Sequence, residues 1–108
     1  MDLYHSTDAD GISILNPDTR QMLDLLESLD EPETREKEHP DVSLTHDPSG
    51  WSLSVYPGGT ATFENWNEAD EPPRYMRNLN RRDCLEMWLD LAKGRIDSLQ
   101  TKPWQRDP

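Results

Sequence analysis

The apolar residues of this chain change period twice, from helical to alternating and back to helical. Met22, Leu25, Leu26 and Leu29 fall at i, i+3, i+4 and i+7, the spacing of one apolar stripe on a helix. Asn16-Pro17-Asp18 predicts its start, with Asn16 as N-cap, Pro17 at the first helical position and Asp18 in the positive first turn. Asp30-Glu31-Pro32 ends it, because a proline disfavours helical geometry in the residue before it. From Val42 the period drops to two. Val42, Leu44 and His46 alternate with Ser43 and Thr45; Trp51, Leu53 and Val55 alternate with Ser52 and Ser54; Ala61 and Phe63 alternate with Thr60, Thr62 and Glu64. The turn sequences Asp47-Pro48-Ser49-Gly50 and Pro57-Gly58-Gly59 join these runs into an antiparallel meander. Helical spacing returns at Asn78 or Asn80, with Asp83 in the manner of a capping box. Leu85, Trp88, Leu89 and Ala92 form its main stripe, Cys84 and Leu91 its flanks, and Gly94 its stop. Ile96 and Leu99 suit one further turn, and Pro103-Trp104 is placed to pin the tail back to the body. Residues 1–15 lack helical spacing, with Ile12, Ile14 and Leu15 suited to a short extended segment.

The two tight turns also predict a register. With His46 opposite Trp51 and Tyr56 opposite Thr60, one face carries Val42, Leu44, Trp51, Leu53, Val55, Ala61 and Phe63. The other carries Ser43, Thr45, Ser52, Ser54, Thr60 and Thr62, and reads as a solvated face. A slip of one residue in either hairpin would scatter the apolar set. The expected fold class is α+β: a two-layer single domain over residues 1–108, ordered helix, three-stranded antiparallel meander, helix. So small a sheet needs both helices to close its core. Residues 1–11 and 30–41 are expected to be loose.

Composition qualifies this picture. Leu, Ile, Val and Phe total only 19 of 108 residues, and the net charge is -11, a combination typical of disorder. Four tryptophans and the regular patterning argue for folding instead. The charge is segregated: residues 1–73 hold 17 acids and 3 bases, and residues 74–108 hold 5 acids and 8 bases. Such a surface disfavours nucleic acid, whose phosphates are held by Lys and Arg, and it can steer a basic partner. No stretch approaches the apolar length of a membrane span, and the first residues lack a basic n-region and an apolar core. A single cysteine, Cys84, fits a reducing compartment, so a cytoplasmic location is expected.

Catalytic chemistry finds little support. Cys84 sits within a helical stripe and reads as a packing residue. His5, His39 and His46 match no zinc spacing, so no metal and no cofactor are expected. Gly58-Gly59 lies in a hairpin and does not open a helix, so it is no phosphate cradle. An enzyme is therefore not expected. Binding fits better. Tyr56, Trp66 and Tyr75 lie outside the apolar stripes, and Glu68, Asp70 and Glu71 surround them in sequence; together they are the expected contact set for a basic protein partner. The plainer alternative is that Trp66 and Tyr75 cover the open end of a small core. A different function would use a cleft near Glu64, Asn65, Arg74 and Arg77 to bind a small anionic ligand or to host an unrecognised enzyme, since arginines suit anionic groups.

The motifs Pro73-Arg74-Tyr75-Met76, Cys84-Leu85-Glu86-Met87-Trp88, Ala92-Lys93-Gly94-Arg95-Ile96 and Pro103-Trp104 resemble the C-terminal half of a family of small uncharacterised bacterial proteins. Met87 stands where that family usually has Leu, and the resemblance, over roughly residues 42–104, implies no particular activity. The acidic helix–meander–helix plan is also similar in architecture to bacterial immunity proteins of the Imm1-like kind. That likeness implies neutralisation of a toxin by binding it.

Overall fold

Local chemistry at residues 16–18 decides where the first helix starts. In the computed structural model, which describes residues 3–68 and 70–106, the N-cap is Asp18. Its carboxylate accepts from Gln21 N at 2.8 Å, and Gln21 Oε1 accepts from Asp18 N at 3.0 Å, a reciprocal capping box. Asn16 does not cap. It takes a left-handed φ of 47°, donates its N–H to Tyr4 O at 2.7 Å and accepts from Tyr4 N at 3.0 Å. That contact fastens the start of the chain to the helix entry.

The elements are β1 (Tyr4–Thr7), β2 (Ser13–Leu15), α1 (Thr19–Glu27), a 3-10 turn (Ser28–Asp30), α2 (Pro32–Arg35), β3 (Val42–His46), β4 (Trp51–Val55), β5 (Ala61–Asn65), β6 (Arg74–Met76), α3 (Arg81–Ala92), α4 (Ile96–Gln100) and β7 (Gln105–Arg106). Among the described residues they form one α+β domain. Its radius of gyration is 12.9 Å, and a folded chain of about 100 residues takes about 13 Å.

The expected meander is present in the expected register: Val42 opposes Val55, Leu44 opposes Leu53, His46 opposes Trp51, Leu53 opposes Phe63 and Val55 opposes Ala61. It is not the whole sheet. The described residues contain a seven-stranded antiparallel sheet in the order β2-β1-β3-β4-β5-β6-β7, with the meander at its centre. The four added strands are two to four residues long. Of these, β2 falls on the extended segment expected at Ile12, Ile14 and Leu15, whereas β1, β6 and β7 are too short to show a period of two and are defined by pairing with more distant residues. Residues 1–11, expected loose, supply β1, which pairs on both sides; Met1 and Asp2 lie outside the described residues. Residues 30–41, also expected loose, carry α2, whose Thr34 is buried.

The core lies on one face of the sheet. Met22, Leu26 and Leu29 come from α1 and its 3-10 extension, Leu99 from α4, and Cys84, Met87, Trp88 and Leu91 from α3. The buried side of α3 is thus centred on Cys84, Trp88 and Leu91, while Leu85, Leu89 and Ala92 are only partly covered. Trp88 is buried as its place in the expected stripe requires, but the expected flanks Cys84 and Leu91 join it in place of Leu85, Leu89 and Ala92, because α3 must face both the sheet and α1. Trp88 Nε1 donates to Leu53 O at 3.0 Å, satisfying the indole within the core. Phe63 is stacked between Trp51 and Trp104, at centroid distances of 4.4 and 5.3 Å, and Trp104 Nε1 donates to Leu99 O. The tail is pinned to the body as its Pro-Trp sequence suggests. Helices on one face leave the other face of the sheet open to form a site.

Candidate functional site

One register row crosses that open face from edge to edge: Ser13, Thr7, Ser43, Ser54, Thr62, Tyr75 and Gln105, each opposite the next. A neighbouring row carries His5, Thr45, Ser52 and Glu64. The expectation of a solvated Ser/Thr face needs correction at its centre, where Ser43, Thr45, Ser52 and Ser54 are all buried. Strands on both sides and longer residues at the rim enclose these short side chains.

The rim is built from three places. The β1–β2 connection is held by Asp8, whose Oδ1 accepts from Asp10 N and Ile12 N, each at 2.9 Å, while Gly11 N donates to Asp8 O at 3.0 Å. This is the side-chain-closed turn that aspartate favours. The approach to β3 supplies His39 and Asp41, and the opposite wall is Tyr56, Glu64 and Trp66. Trp66 is placed by its N–H, which donates to Gly50 O at 2.9 Å in the β3–β4 turn. Between these walls lies a groove of about 470 Å³ floored by Thr7, Ser43 and Ser54. Across Tyr56 and Glu64 it adjoins a smaller hollow of about 210 Å³ formed with Thr62, Pro73, Arg74 and Tyr75.

The groove is acidic. Asp8, Asp10, Asp41 and Glu64 line it, and among the described residues no Lys or Arg does. Lys37 reaches only its outer edge, where Nζ donates to Asp10 Oδ1 at 2.8 Å. Tyr56 senses this field: burial, then the charges of Asp41 and Glu64, push its hydroxyl above the ordinary tyrosine range, against the lowering effect of a hydrogen bond with Thr62.

Of the contact set expected from sequence, Tyr56 and Trp66 meet at this groove, and Tyr75 lines the adjoining hollow with Arg77 stacked 5.1 Å from its ring. Trp66 is 62% exposed, so it does not act as a cover for the core. Glu68 and Asp70 are exposed in the β5–β6 connection and do not line the groove. Glu71 is turned to Arg74, whose Nη2 donates to Glu71 Oε1 at 2.7 Å.

The alternative anion cleft is only partly assembled: Glu64 and Arg74 both line the smaller hollow, whereas Asn65 and Arg77 do not. Arg74 lies on the core side of β6, 5.4 Å over the Trp51 ring, and its charge is met by Glu71. Arg77 lies on Tyr75, and Asn65 Oδ1 accepts from Asn67 N at 2.8 Å. Only Glu64 of those four residues faces the groove. Sequence reasoning missed Asp8, Asp10 and Asp41, which the fold gathers from two separate segments. Among the described residues no three His, Cys, Asp or Glu side chains are grouped to hold a metal, and no helix is long and apolar enough to cross a membrane.

Fold and site together define a small α+β domain with an acidic, aromatic-walled groove on the uncovered face of its sheet. No protein-family model, curated protein or solved structure matches the chain.

Proposed function

We propose that this chain is a non-enzymatic cytoplasmic interaction module whose sheet-face groove holds a basic segment of a partner protein, in the manner of an immunity-type or regulatory inhibitor. The carrying observation is the groove's lining: four carboxylates, two aromatic rings and, among the described residues, no cationic side chain of Lys or Arg. Carboxylates at such a rim speed encounter with a basic surface, and large rigid rings supply buried area at little entropic cost. The contact set accordingly moves from the β5–β6 connection to Tyr56, Trp66, Asp41 and Glu64, with Tyr75 at the end of the groove.

The test is affinity capture from the native host, followed by titration of the captured protein against variants. Trp66→Ala and Glu64→Gln should each weaken binding about tenfold, as interface anchors do. Glu71→Gln, away from the groove, should leave binding intact. Raising salt from about 50 to 500 mM should weaken binding markedly. A partner whose affinity ignores Trp66→Ala, Glu64→Gln and salt would overturn the proposal.

A further inference from the structure

The floor of the groove contains a second feature, independent of its charge. Ser43 and Ser54 face each other across β3 and β4, and they are only 8% and 6% exposed. Neither hydroxyl has a hydrogen-bond partner among the described residues. The equivalent pair one step along the same strands, Thr45 and Ser52, behaves differently: Thr45 Oγ1 donates to Ser52 Oγ at 2.9 Å. Elsewhere in the Ser43–Ser54 row, Thr7 and Ser13 oxygens lie 3.0 Å apart, and Thr62 is hydrogen-bonded to Tyr56. Among the described residues the fully enclosed side-chain atoms without a partner are Arg74 Nε and Arg81 Nε, not the two serine oxygens, so both hydroxyls open onto the groove and are free to meet a ligand's polar atoms.

We propose that Ser43 and Ser54 floor a subsite for one guanidinium group, the side chain of an arginine on the partner protein. The inference rests on the acidic-groove reading above and adds which cation is read. Asp41 and Glu64 exclude an anion, so the occupant carries positive charge and offers donors. Directly opposed residues on antiparallel strands hold their Cβ atoms about 4.5–5.5 Å apart, a span that the separate N–H groups of a guanidinium can bridge. Each serine hydroxyl accepts one of those N–H groups. The flat faces of Tyr56 and Trp66 suit a planar, weakly hydrated cation, whereas a lysine ammonium is compact and strongly hydrated.

Three heptapeptides with a glycine–serine background and a central arginine, lysine or citrulline test this, titrated into the isotopically labelled full chain. NMR would follow the Trp66 indole and the Ser43 and Ser54 amides. The arginine peptide should shift all three together, and the lysine peptide should bind about fivefold more weakly, the worth of roughly one net hydrogen bond. Citrulline, uncharged, should leave them unmoved. Ser43→Ala with Ser54→Ala should cost the arginine peptide about fivefold or more and spare the lysine peptide. Each single alanine variant provides the same readout should the double variant fail to fold. Equal binding of arginine and lysine, unaffected by the serine changes, would overturn the guanidinium subsite and leave the acidic groove standing. Free arginine binding as tightly as the peptide would overturn its assignment to a protein side chain. If neither cationic peptide moves Trp66, both this inference and the acidic-groove reading fall.

Discussion

At Cys84 a side chain that could have been reactive is made inert by its surroundings. Burial pushes its thiol from 9.0 up to about 11, with Arg81 offsetting part of the effect. The thiolate is the reactive form, so the native thiol resists attack at neutral pH. A disulfide-exchange reagent should therefore label Cys84 only as the protein is unfolded by denaturant, and fast labelling in native buffer would contradict its burial. The same shift predicts a pH effect. The unfolded thiol ionises first, so the stability associated with the neutral native thiol is complete below about pH 9 and is lost as pH rises through about 11. Denaturant melts at about pH 8 and pH 10.5 should show wild type losing more stability than Cys84→Ala. The packing role of Cys84 was legible in its helical spacing. The choice of Asp18 over Asn16 as cap was not, because both residues can cap and only the contact with Tyr4 decides between them.

Between elements, the β4–β5 turn shows how one residue can carry a tertiary joint. Gly59 has a φ of 88°, and its carbonyl accepts from Leu79 N at 3.0 Å, tying the turn to the segment before α3. A Cβ at Gly59 would stand 2.8 Å from Leu79 O, against backbone that cannot turn aside, whereas one at Gly58 would meet nothing within 4 Å. Gly59→Ala should therefore cost about 2 kcal/mol or more, through strain at a left-handed φ and the clash, while Gly58→Ala should be close to neutral. The denaturation midpoints of the two variants check this, and equal midpoints would show that the joint can relax. The turn itself was legible as Pro-Gly-Gly. Its bond to Leu79 was not, since nothing local in the sequence marks a contact between those positions. The face of α3 was also only half legible: Trp88 is buried as its stripe predicts, but Leu85, Leu89 and Ala92 compete with Cys84 and Leu91 to flank it, and the position of α1 selects the latter pair.

Across the whole molecule, the net charge of -11 acts on stability as well as on partners. Self-repulsion among the carboxylates of residues 1–73 opposes the compact state, and added salt screens it. Raising sodium chloride from about 20 to 500 mM should lift Tm by about 4 °C or more, although the same salt weakens partner binding. A flat or falling Tm would mean that internal ion pairs such as Arg81–Asp30 outweigh the repulsion. The sequence by itself determined the apolar stripe of α1, the three central strands and their register, because those signals lie within short windows of alternating or helical spacing. Beyond β2, which falls on the extended segment expected at Ile12, Ile14 and Leu15, the tertiary structure alone decided the remaining strands. Segments of two to four residues have no readable period, and β1 is defined by partners some forty residues away, as in His5 opposite Thr45. It decided the groove for a related reason: serine and threonine on a strand read as solvent-facing until distant loops and rings close around them. The burial of Ser43 and Ser54 is a property of that enclosure, which no local pattern in the chain encodes.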